Sequence, residues 1–191
     1  ATEEKVDAVR YLTNRSSGKM GFAIAEAAAE RGADVVLIAG RVEVPLPEGM
    51  REIVRVSSTE EMCREALRLF PGCDAAIMAA APADYRPEEY SASKIKSETL
   101  TLKLVKNPDI AAALGRIKDG RKLVVFSAET DDLIKNARAK LAAKRADLAV
   151  ANDVTREGAG FGADTNIISI IDAAGSVTDY PAGYYAVPVE A

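Results

Sequence analysis

Asn14-Arg15-Ser16-Ser17-Gly18-Lys19-Met20-Gly21 opens into the alanine-rich run Phe22 to Glu30, which is followed by Gly32 and then by Asp34-Val35-Val36-Leu37-Ile38-Ala39-Gly40. The order is a polar glycine turn, an apolar helix ended by Gly32, and a short buried strand. A serine-glycine turn at a helix start presents backbone N–H groups where the macrodipole also favours negative charge. The turn therefore reads either as a plain helix start capped by Ser16 or Ser17, or as a cradle for a phosphate or carboxylate.

The same alternation continues along the chain. Ser58-Thr59-Glu60-Glu61 is a capping box opening a helix to about Phe70, and Pro71-Gly72 stops it. Asp74 to Ala80 reads as a buried strand, and the alternating Leu100 to Val105 as an edge strand. Asn107-Pro108-Asp109 supplies a cap, a proline at the first helical position and an acid in the first turn. That helix runs to about Lys118, with Gly120 beyond it. Leu123 to Phe126 is a strand, Asp131 to Arg145 a helix and Asp147 to Ala151 a strand. Asn166 to Asp172 and Ser176 to Tyr180 form a hairpin around Ala173-Ala174-Gly175. Such a pattern implies an α/β fold with a mostly parallel sheet, helices on both faces and a C-terminal antiparallel hairpin. In such folds a phosphate-binding turn follows a strand, yet Thr2-Glu3-Glu4-Lys5 does not read as one. The first strand is expected to be missing.

The 191 residues fit a single domain spanning 1–191. Composition is globular, 48% hydrophobic and 28% charged, with a net charge of −4. No global field draws nucleic acid, and with aromatics at 5% no base-stacking platform is expected. No apolar run approaches a membrane span and no secretory leader is read at the start, so a cytoplasmic location is expected. Histidine is absent, which excludes Ser-His-Asp and Cys-His mechanisms and any histidine-ligated zinc. Cys63 and Cys73 form no C-x-x-C pair and read as small buried hydrophobes.

Base chemistry must then come from lysine, carboxylate, tyrosine or the substrates. Met78-Ala79-Ala80-Ala81-Pro82-Ala83-Asp84-Tyr85-Arg86 ends a strand in small residues, where open α/β sheets bind ligands. Lys94-Ile95-Lys96, if extended, sends two lysines to one side. Lys103 and Lys106 flank the helix start at Pro108, and Lys140 and Lys144 share one helix face. Each pair alone reads as a solvated basic surface. Together, in a net-negative chain, they point to a polyphosphate site.

Val9-Arg10-Tyr11, the Asn14–Gly21 turn, Ala80 to Arg86, Lys94-Ile95-Lys96, Val105 to Ile110, Phe126-Ser127-Ala128-Glu129-Thr130 and Ala151-Asn152-Asp153 together resemble phosphopantothenoylcysteine synthetase of the bacterial CTP-dependent type. The likeness runs in order from about Val9 to Asp172. It implies a Rossmann-like fold and the ligation of 4′-phosphopantothenate to cysteine through an acyl-cytidylate, in coenzyme A biosynthesis. It implies CTP as co-substrate, magnesium as its metal with protein ligands unknown, a homodimer, and in bacteria frequent fusion behind a flavin-dependent decarboxylase. Carried onto this sequence, nucleotide contacts fall on Met78, Ala79, Ala80, Asp84, Lys94, Pro108, Asp109, Ile110, Ala111, Phe126, Lys140 and Lys144. Substrate contacts fall on Arg10, Asn14, Ser17, Gly18, Ala80 and Ala81, with Asn14 and Lys94 as catalytic residues.

Several positions depart from the family. Ser97 stands where a third lysine is usual, the loop Lys96 to Leu100 is short, Val125 replaces a glycine, and the tail from Pro181 to Ala191 differs from the usual closing helix. Two other readings stay open. The turn approximates a dinucleotide fingerprint, and Tyr90-Ser91-Ala92-Ser93-Lys94 gives the Tyr-x-x-x-Lys of a short-chain NAD(P)-dependent reductase, though in poor helical context. A non-catalytic nucleotide-binding module is the other.

Overall fold

The computed structural model describes residues 1–42, 44–129, 132–153 and 165–184. In chain order these form β1 (Glu3–Lys5), β2 (Tyr11–Thr13), α1 (Lys19–Glu30), β3 (Val36–Ala39), β4 (Glu52–Arg55), α2 (Thr59–Leu69) and β5 (Ala75–Met78). There follow β6 (Tyr85–Pro87), β7 (Leu104–Lys106), α3 (Ile110–Ile117), β8 (Lys122–Glu129), α4 (Leu133–Lys144), β9 (Leu148–Asp153), β10 (Thr165–Asp172) and β11 (Val177–Tyr184).

The main sheet has the order β11-β10-β9-β8-β5. The β5–β8 and β8–β9 pairs are parallel, and β10 and β11 add the antiparallel hairpin, so the sheet as a whole is mixed. β3 and β4 form a separate parallel pair. Among the described residues β3 pairs only with β4 and β5 only with β8, and Ile77 on β5 is 47% exposed. Ala1 and Thr2 bridge the carboxyl ends of these two strands. The Ala1 amine donates to Arg41 O at 2.9 Å, Arg41 N donates to Ala1 O at 2.8 Å, and Ala83 N donates to Thr2 Oγ1 at 2.9 Å.

One core unites α2, α3 and α4 with the sheet. Met62, Cys63, Ala66 and Phe70 meet Ile110, Ala113 and Leu114, which pack with Leu123, Val125, Ala137, Ala149 and Ile171. The Ser58 capping box forms as read: Ser58 Oγ accepts from Glu61 N, and Glu61 Oε2 accepts from Ser57 and Ser58 N. Both cysteines are free, Cys63 buried and Cys73 half-buried.

Four local expectations change. Glu3–Lys5 is a strand, paired with β2 as a small antiparallel ribbon outside the main sheet. Its partner strand and buried Glu4 outweigh its charged composition. The edge strand expected at Leu100 to Val105 lies at Leu104–Lys106 and pairs with β6 rather than with the main sheet. The cap of α3 is Asp109 rather than Asn107, because the Asn107 amide is turned inward to the Ala83 carbonyl. The N-cap of α1 is Gly18, which has no side chain to cap with, while Ser17 just before it accepts a long bond from Lys19 N at 3.4 Å. The expected helix start at Asp131 and the tail beyond Tyr184 lie outside the described residues.

Gly115 sits where α3 passes the end of α4, and a Cβ there would stand 1.9 Å from the Lys144 carbonyl oxygen. Gly115→Ala should therefore push the two helices apart and destabilise the fold by about 1–3 kcal/mol. An unchanged urea midpoint would contradict this packing.

Candidate active site

The carboxyl ends of β5, β8 and β9 border a cleft of about 650 Å³. One wall is the turn from Asn14 to Gly21. Gly18 has φ 87°, and a Cβ would come within 2.7 Å of Val42 Cγ1, so both conformation and space require glycine. The start of α1, Lys19 to Gly21, borders the cleft at the positive end of the helix dipole. Asn14 Nδ2 donates to Pro82 O at 3.0 Å, tying this wall to the next.

The second wall is Met78 to Asp84. Its anchor is a knot of buried polar groups. Ala83 N donates to Thr2 Oγ1, Thr2 and Thr59 hydroxyls meet at 2.8 Å, and Thr59 N and Oγ1 donate to Glu4 Oε1 at 2.9 and 2.8 Å. Asn107 Nδ2 donates to Ala83 O at 2.9 Å, and Asn107 N to Asp84 O at 2.8 Å. Glu4 thus satisfies a helix-start N–H of α2, and the loop carrying Asp84 is fixed by bonds that water cannot replace.

The third wall joins the start of α3 to the last turns of α4. Asp109 accepts from Ala112 N at 2.9 Å and from Lys144, which is its ion-pair partner. Lys140 Nζ donates to Phe126 O at 2.5 Å. Partial burial works to raise the Asp109 pKa, but the Lys144 ammonium and the Ala112 N–H outweigh it, and the group lies below its ordinary value.

Of the residues singled out in the sequence, Asn14, Ser17, Gly18, Met78, Ala79, Ala80, Ala81, Asp84, Pro108, Asp109, Ile110, Ala111, Phe126, Lys140 and Lys144 all border the cleft. Arg10 and Lys94 do not. Arg10 is bonded to Asp7 and to Ile95 O, and Lys94 stands exposed on a non-helical loop. That loop removes the helical geometry a Tyr90–Lys94 reductase pair requires. Lys103, paired with Glu88, is also away from the cleft.

Several residues take roles at the cleft that their sequence context does not assign to them. Thr2, Glu4, Thr59 and Asn107 carried no local sign of their joint burial. Asn152, next to last in β9, borders the cleft with a buried Oδ1 that has no hydrogen-bond partner among the described residues. Its position at the carboxyl end of a parallel strand was the available signal. Among the described residues, five with cationic side chains (Arg15, Lys19, Lys106, Lys140, Lys144) and two carboxylates, Asp84 and Asp109, line the cleft. Such a cleft suits a multiply charged anion.

Residues 1–184 match the family model described as DNA/pantothenate metabolism flavoprotein C-terminal domain. The chain belongs to this family. It is similar to the coenzyme A biosynthesis bifunctional protein CoaBC of Bacillus subtilis, 45% identical over 182 residues, covering 94% of this chain and 45% of that protein. The Escherichia coli K12 protein of the same name is 42% identical over 180 residues, covering 88% of this chain and 43% of that protein. The chain spans about half the length of the curated relatives it matches. Among solved structures, the C-terminal domain of a CoaBC protein aligns with TM-score 0.80 and 36% identity, covering 94% of this chain and 81% of that one. A Cab2 mutant in complex with phosphopantothenate-cysteine shares the fold, with TM-score 0.72 at 14% identity.

The ionised Asp109 contributes stability above the unfolded aspartate pKa near 4, and that contribution is lost as pH falls through its lowered folded value. Asn at this position can still accept from Ala112 N, so Asp109→Asn isolates the ion pair. The variant should melt below the parent at pH 7, and the gap should close below about pH 4. A gap of constant size across that range would contradict the assignment.

Proposed function

We propose that this domain ligates 4′-phosphopantothenate to cysteine using CTP, as the C-terminal half of a bifunctional coenzyme A biosynthesis protein whose other half is a flavin-dependent decarboxylase. The observation that carries the reading is the gathering of five cations and two helix starts at one cleft, in a chain without histidine. Such a site neutralises and orients a polyphosphate while the substrates supply both nucleophiles.

In the first half-reaction a phosphopantothenate carboxylate oxygen attacks the α-phosphorus of CTP, and the bond to pyrophosphate breaks. In the second, the cysteine amine attacks the acyl carbon of the acyl-cytidylate, CMP leaves with the bonding pair, and the amine loses a proton to solvent. The start of α3 at Pro108 to Ala111, with Lys140 and Lys144, takes the nucleotide beside Met78, Ala79, Phe126 and Asp84. Ala80, Ala81, Asn14, Ser17 and Gly18 face the pantothenate. Lys140 and Lys144 already hold oxygen partners, so they would exchange a carbonyl and a carboxylate for ligand oxygens.

No group of three or more potential metal ligands occurs among the described residues. Asp84 and Asp109, the carboxylates that border the cleft among the described residues, would stand beside a magnesium ion held mainly by the triphosphate. Magnesium would offset phosphate charge in the first half-reaction. Because Lys94 stands outside its own chain's cleft, the reading includes a two-fold homodimer in which Lys94 serves the cleft of a second copy. The edges of β3 and β5, which have no second partner strand among the described residues, would accommodate one further parallel strand between them. The proposed location is cytoplasmic; among the described residues no helix is long and apolar enough to cross a membrane.

Lys94→Ala should abolish most pyrophosphate release from CTP and phosphopantothenate in the absence of cysteine, with an unchanged melting temperature. Near-parental release would remove Lys94 from the mechanism. Asn14→Ala should slow the second half-reaction more than the first, since a neutral amide orients an acyl group but contributes little against triphosphate charge. Quenched turnovers analysed by mass spectrometry should then show acyl-cytidylate outlasting that of the parent. Equal loss in both halves would reduce Asn14 to general positioning.

A further inference from the structure

The loop carrying Lys94-Ile95-Lys96 has neither helix nor strand of its own, yet it is held at two points by the turn from Val6 to Arg10. Ser91 N donates to Val6 O at 3.2 Å, and Asp7 and Ser91 form an isolated parallel bridge. Four residues on, Ile95 N donates to Asp7 Oδ2 at 3.1 Å while Arg10 Nη2 donates to Ile95 O at 2.9 Å. Both backbone groups of Ile95, the residue between the two lysines, are therefore taken by one acid–base pair.

Asp7 is built for that task. Its side chain has no exposed surface, whereas that of Arg10 is 44% exposed. Oδ1 accepts from Val9 N and Arg10 N, each at 2.9 Å, and Oδ2 accepts from Arg10 Nε at 2.9 Å, from Arg10 Nη2 and from Ile95 N. A buried carboxylate is tolerated only when its lone pairs are filled. Four of these five bonds come from its own turn. The fifth comes from a residue 88 positions away. The Arg10 guanidinium, ahead of the other donors and against the cost of burial, holds the Asp7 carboxyl well below the usual carboxylate range.

A lysine head on a four-carbon stem is placed only as well as its backbone is placed. We propose that Asp7 is a positioning residue for the ligation, acting through the Ile95 amide to fix the loop from which Lys94 reaches the triphosphate, with Arg10 closing the clamp on the Ile95 carbonyl. This assigns Arg10 to the lysine loop rather than to direct contact with pantothenate. It rests on the reading that Lys94 stabilises charge in the first half-reaction.

The test compares Asp7→Ala, Arg10→Gln and Lys94→Ala in the full chain, by hydrogen exchange over residues 91–97 and by pyrophosphate release from CTP and phosphopantothenate. Loss of the Asp7 clamp should speed exchange at Ile95 roughly tenfold. It should also lower the rate of release at saturating CTP on the order of a hundredfold, with KM for phosphopantothenate unchanged. Arg10→Gln, which leaves the backbone bonds of Asp7 in place, should shift both readouts in the same direction and serves if Asp7→Ala does not fold. Lys94→Ala should lose release while exchange stays at the parental rate. Faster exchange with parental release in the Asp7 or Arg10 variant, alongside lost release in Lys94→Ala, would overturn the positioning role and leave the Lys94 reading standing. Unaltered exchange in both clamp variants would overturn it too. Parental release in Lys94→Ala would overturn the Lys94 reading itself, and the proposal with it.

Discussion

The hydrogen bonds that converge on Ala83 hold the ligand side of this fold together. The Thr2 hydroxyl accepts from Ala83 N and shares a hydrogen bond with the Thr59 hydroxyl, Thr59 donates to Glu4, and the Asn107 amide donates to the Ala83 carbonyl. Each group is nine-tenths or more buried. An unmatched member would cost about 1–3 kcal/mol, so the set acts as a unit. It joins the N-terminal ribbon, the start of α2, the end of β5 and the entry to α3. These are the pieces that place Asp84 on one side of the cleft and the Pro108–Ala111 helix start on another.

On that frame the electrostatics are local. A chain of net charge −4 concentrates five cations at one cleft, three of them near the α3–α4 junction. Lys144 is paired with Asp109 and Lys140 with a carbonyl, so neither ammonium is left buried and uncompensated in the unliganded protein. A polyphosphate would take up these ammonium groups by exchanging their present oxygen partners for its own. The exposed lysine loop is different. Its position comes from Asp7 and Arg10, outside the cleft, which accords with a loop that serves a second copy of the chain.

Much of this was legible in the sequence because the signals were local. The Ser58 box, the Gly32 stop and the hairpin around Gly175 depend on neighbouring residues, and they form where read. The cleft residues after β5 and at the start of α3 were legible because carboxyl ends of parallel strands and helix starts are predictable places. What failed depended on partners that the local pattern does not reveal. Glu3–Lys5 is a strand only because Tyr11–Thr13 lies beside it, and Asn107 leaves its capping role because Ala83 offers a buried carbonyl. The Asp7–Ile95 bond spans 88 residues, and no spacing rule reports it.

The nucleotide preference of the cleft is tested most directly by thermal-shift titration with CTP, ATP and NADPH, each with magnesium. CTP alone should raise the melting temperature strongly, by the equivalent of about 2.7 kcal/mol at a hundredfold excess over its dissociation constant. Lys144→Ala should remove most of that rise. An equal response to all three nucleotides, or a response to NADPH alone, would contradict a CTP-dependent ligase.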